Sequence, residues 1–91
     1  MPIYVHISVI LETHRVGSLS LVRTNEFFTG QFHSQEEVNT FLCSFEDALG
    51  ESVGDKLCRI VAKEVAPRFI PGNRLIPPGD LLEAVERDEM P

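Results

Sequence analysis

A chain of 91 residues makes one domain and leaves no room for a second. Hydrophobic side chains at 43% imply a packed core rather than disorder, and no apolar run approaches the roughly 18 residues that a membrane helix needs. The net charge of −6 works against non-specific nucleic-acid binding, because phosphates repel the chain at long range.

Ile3, Val5, Ile7, Val9 and Leu11 alternate with Tyr4, His6, Ser8, Ile10 and Glu12, the period-2 pattern of a half-buried strand. The N-terminus lacks a basic leader and a small-residue cleavage site, so a cytoplasmic protein is expected. Thr13 to Gly17 reads as a turn, and Leu19 and Leu21 alternate with Ser18, Ser20 and Val22 in a second strand. Thr24-Asn25-Glu26 reads as a second turn, and Phe28, Gly30 and Phe32 as one side of a short third strand.

Ser34 to Glu37 spells a capping box, in which the Ser34 hydroxyl takes the Glu37 amide and the Glu37 carboxylate reaches back to the Ser34 amide. Val38, Phe41, Leu42, Phe45 and Leu49 follow at helical spacing, which predicts a helix over 35–49 with Gly50 just past its end. Ser52 and Asp55 resemble another N-cap. A second helix would then place Leu57, Ile60, Val61 and Val65 inward and Lys56, Arg59 and Lys63 on a neighbouring stripe. The Ile and Val content of Leu57–Val65 keeps a strand as the alternative. Pro67 stops either element. Arg68-Phe69-Ile70-Pro71-Gly72 is echoed by Arg74-Leu75-Ile76-Pro77-Pro78-Gly79, a Pro-rich loop expected chiefly to cover the core. A last short helix over about 80–88 would turn Leu81, Leu82 and Val85 inward, and its terminal acids, at the wrong end of the dipole, are expected to fray.

The fold class expected is therefore α+β: a three-stranded antiparallel sheet, made of an N-terminal hairpin plus a short third strand. Two helices cover it, followed by the Pro-rich loop and the short C-terminal helix. The apolar face would be supplied by Ile3, Val5, Ile7, Val9, Leu11, Leu19 and Leu21.

Charge is uneven along the chain. Residues 1–55 hold 2 basic and 8 acidic side chains. Residues 56–74 hold Lys56, Arg59, Lys63, Arg68 and Arg74 against Glu64, and the remainder is acidic again. The sequence contains no phosphate-cradling glycine loop, GxSxG turn, HExxH or paired-cysteine site. His6, His14 and His33 are far apart in sequence. Cys43 and Cys58 sit in apolar segments and are expected as reduced, buried thiols, so neither a metal nor a cofactor is expected.

With no catalytic constellation, the chain reads as a small acidic protein-interaction module acting by surface binding, of inhibitor or adaptor type, without a membrane. Its candidate binding residues are Lys56, Arg59, Lys63, Arg68, Phe69 and Arg74, where arginines rim exposable apolar side chains. A protein partner is expected, with homodimerisation through an edge strand or the Pro-rich loop as a variant. In size and layout the chain is similar to small phage-encoded inhibitors of the anti-CRISPR type. The opening Met1-Pro2-Ile3-Tyr4-Val5-His6-Ile7 resembles the tautomerase superfamily. That resemblance implies an enzyme in which Pro2, freed as the N-terminus, acts as general base, with helix 35–49 and a strand at Leu57–Val65 completing a β-α-β unit. A nucleic-acid binder through residues 56–74 is the third alternative.

Overall fold

The computed structural model describes residues 1–89. The alternating apolar run becomes β1 (Ile3–Val16), which pairs antiparallel with β2 (Leu19–Phe32) across the two-residue turn Gly17-Ser18. Gly17 holds φ at 60° and Ser18 does not share a positive φ, the Gly-first hairpin turn whose twist matches that of the strands. Both expected turns at 13–17 and 24–26 thus collapse to this one. Cross-strand pairing overrides the turn preference of Thr24-Asn25-Glu26, and Asn25 lies opposite Val9 within the ladder. The expected third strand is the last part of β2.

Helix α1 (Gln35–Val53) starts as its sequence signals. The Ser34 hydroxyl accepts from the Glu37 amide at 3.1 Å, but the Glu37 carboxylate takes the His33 amide, at 2.9 Å, rather than that of Ser34. The helix runs past Gly50 because Val53, one turn beyond Leu49, still finds the core; Gly54, at φ 57°, ends it and donates to the Gly50 carbonyl.

Leu57–Val65 is a strand, β3, not the second helix expected. The Ser52 cap signal is absorbed inside α1, and β1 offers an unpaired edge that β-branched residues fill better than a helix would. A bulge at Cys58-Arg59 keeps Leu57, Ile60 and Ala62 toward the core, and Arg59, Val61, Lys63 and Val65 on the other face. The proline-rich segment then crosses to the far side of the sheet, where β4 (Leu75–Ile76) runs parallel to β2. Thr29, fully buried, donates its hydroxyl to the Ile76 carbonyl at 2.7 Å and ties β4 down. Helix α2 (Leu81–Glu89) closes the fold with Leu81 and Val85 buried; the expected fraying falls on its last side chains, outside those described.

The class is α+β as expected, but the sheet is four-stranded and mixed, in the order β3-β1-β2-β4. The core lies between the sheet and the two helices: Val5, Ile7, Val9 and Leu11 of β1, Phe27 and Phe32 of β2, Val38, Phe45, Leu49 and Val53 of α1, and Leu81 and Val85 of α2. Phe41 packs between Phe32 and Phe45, at ring separations of 5.3 and 5.7 Å. Gly30 is required by close approach, since an added Cβ would stand 2.6 Å from the Tyr4 ring. Leu19 and Leu21, expected in the core, are exposed, and so are Cys43 and Cys58.

Truncating the buried Ile7 to alanine is expected to cost about 2–5 kcal/mol. Leu21→Ser, far from the core, should change stability by less than about 0.5 kcal/mol. Urea unfolding at low protein concentration distinguishes the two.

Candidate functional site

Helix and strand advance at different rates per residue. The 19 residues of α1 span about 28 Å, whereas the 14 residues of β1 or β2 span about 46 Å. The hairpin accordingly outruns its helical cover, and the molecule is elongated, 48 × 25 × 20 Å. β3 also stops short, opposite Leu11. Residues 12–23 project as a bare two-stranded arm.

The arm continues the core face without a core. Residues opposite one another in an antiparallel pair share a face. Leu11 opposes Arg23, and past a bulge at Glu12–His14 the pairs His14/Leu21 and Val16/Leu19 follow on the same side. Val16, Leu19 and Leu21 are 61%, 72% and 62% exposed; Val22, on the reverse side, is 55% exposed. Short polar links brace the ribbon. Thr13 Oγ1 donates to the Leu21 carbonyl at 3.3 Å, and Arg15 meets the Glu12 carboxylate at 3.2 Å. At its base Arg23 Nε donates to Asn25 Oδ1 at 3.0 Å, while the buried Asn25 Nδ2 has no acceptor among the described residues. The Glu12 carboxyl is held below its ordinary value, first by a hydrogen bond from Ser20 across the ribbon; burial opposes this next, and Arg15 adds smaller lowering contributions.

The uncovered face of the sheet is more polar. His6 stacks on Phe28 at 4.8 Å and sets Nε2 3.4 Å from Glu26. His6 and Glu26, with Ser8, Ile10, Thr24, Val61 and Lys63, line a groove of about 320 Å³. Two of the basic residues singled out from sequence, Arg59 and Lys63, stand on this face of the edge strand, and Lys56 precedes them in a 3₁₀ turn. The others are elsewhere. Arg68 lays its guanidinium 4.9 Å over the exposed Phe69 ring in the connection after β3, and Arg74 lines a cavity with Glu26, Phe27 and Arg87 beyond β2. Three strand spacings, roughly 14 Å, lie between β3 and β4, so the basic residues form no single patch. The two echoed motifs do behave alike: Phe69 and Leu75 point outward, whereas Ile70 and Ile76 are partly buried. Of these four apolar residues only Ile76 packs against the core.

Pro2 is exposed at the start of β1. α1 connects β2 to β3, and β3 runs antiparallel to β1, so β1, α1 and β3 do not form the parallel unit that the tautomerase resemblance implies. Among the described residues no group of three His, Cys, Asp or Glu side chains is placed to hold a metal ion. No protein-family model, curated protein or solved structure matches the chain.

Glu12 is expected to titrate below the usual glutamate value in a pH series of side-chain NMR spectra, and Ser20→Ala to move it back up. Because the folded value is depressed, the contribution of this link is present above the ordinary glutamate value and is lost as the pH falls through the depressed one.

Proposed function

We propose that this chain is a small protein-interaction module that works by surface binding, with the arm of residues 12–23 as its working part. The carrying observation is the exposure of Val16, Leu19, Leu21 and Val22 on a ribbon that no helix or third strand covers. A lone two-stranded hairpin is marginal in water, and packing against a further element stabilises it. Four large apolar side chains grouped on one projection also exceed the scattered exposure usual on a monomer. The arm is rigidly rooted, since its strands continue into the most buried part of the sheet. Such a finger acts by occupying a surface on another polypeptide, as an inhibitor or adaptor does. Arg68 and Phe69 offer a second, smaller contact at the connection after β3.

The test is affinity capture from the source cells, followed by mass spectrometry and reconstitution from purified chains. The wild type is expected to retain a specific chain that the double variant Leu19→Ser, Leu21→Ser loses while keeping its circular dichroism. Retention by the double variant and loss with Phe69→Ala would move the working surface to the connection. Retention by both would sink the arm reading.

A further inference from the structure

We infer that the chain the arm binds is a second copy of this protein, joined along the outer edge of β2 by a two-fold axis at Leu21. The inference rests on the reading of the arm as a docking surface and names its occupant.

The backbone provides the first argument. β4 pairs with Phe28 and Thr29, so among the described residues no strand lies on the outer side of Leu19–Phe27 of β2. This edge carries neither proline nor lysine, two residues that commonly block edge pairing. Its side chains are mostly apolar, β-branched or small and polar, which suits a further strand.

Charge says where two copies can meet. The chain carries −6, and α1 alone holds Glu36, Glu37, Glu46, Asp47 and Glu51 with no basic residue, so approach helix to helix is opposed. The arm holds Glu12 against Arg15 and Arg23. Two copies brought together there leave their acidic helices apart, where salt screens the repulsion.

Register follows from the same charges. A two-fold axis through the sheet pairs residues that share a face, and residue 21, 22 or 23 can lie on it. An axis at Arg23 sets the two guanidinium groups directly opposite. An axis at Val22 leaves them about 7 Å apart along the strands, inside the screening length. An axis at Leu21 separates them by about 13 Å, beyond it, and lays each Arg23 stem along the partner's Leu19. It also sets Leu21 against the partner's Leu21. One edge contributes less than the roughly 800 Å² per partner of a standard interface, so the dimer is weak and depends on concentration.

Sedimentation equilibrium of the full chain under reductant, from about 10 μM to about 1 mM, reads this directly. The wild type should pass from monomer to dimer across that range. Leu21→Lys and Leu21→Glu should each remain monomeric, with an unchanged circular dichroism spectrum because Leu21 is exposed. An equimolar mixture of the two variants should regain a dimer, since the axis sets the new charges opposite each other. A wild type that stays monomeric, or one whose association Leu21→Lys leaves intact, overturns the inference. A mixture no more associated than either variant alone overturns the axis at Leu21. A monomeric wild type that still captures a different chain through Leu19 and Leu21 overturns the self-association and leaves the arm as the working surface.

Discussion

A strand covers more than twice the distance of a helix for the same number of residues. Most of the architecture follows from that mismatch. α1 is long enough to roof Val5 through Leu11 and no further, and β3 ends at the same level. Everything beyond is hairpin alone. What makes the arm apolar is the continuation of the core-face alternation after the roof has ended, carried across the Glu12–His14 bulge so that Leu21 and Leu19 remain on the side of Leu11.

The body beneath the arm is a two-layer structure anchored on β1, the one strand hydrogen-bonded along both sides for most of its length. Its polar loose ends are few. Thr29 is buried but satisfied through Ile76, whereas the amide nitrogen of Asn25 is buried and unsatisfied. An unpaired buried donor costs on the order of 1–3 kcal/mol. It sits where the roofed sheet gives way to the open ribbon.

Local signals in the sequence suffice where one element decides its own form. The alternation of Ile3 to Leu11, the Ser34 cap and the inward positions of α2 needed no tertiary information. The misreadings share one cause, that partners distant in sequence override local preference. Thr24-Asn25-Glu26 favours a turn until twelve residues of β1 lie opposite, and Leu57–Val65 is ambiguous until β1 presents a vacant edge. Alternation alone places Leu19 and Leu21 in the core. The reach of the helix against that of the hairpin reveals their exposure only once the two short strands are joined into one. The basic residues grouped by sequence proximity were dispersed for the same reason: the connection from β3 to β4 carries them from one side of the sheet to the other.

The strand order also fixes a timetable. β1 precedes β2, α1 and β3 in the chain yet ends at the centre of the sheet, and the segment that closes its second side, residues 57–65, is made only after β2 and α1. Between completion of the hairpin at Phe32 and of β3 at Val65 a ribosome needs roughly 2–7 s at ordinary elongation rates. Throughout that interval β1 carries a naked apolar border that neighbouring nascent chains can reach. An apolar strand edge left unpaired is a general hazard for association between nascent chains, and here it lasts until translation has passed through both α1 and β3.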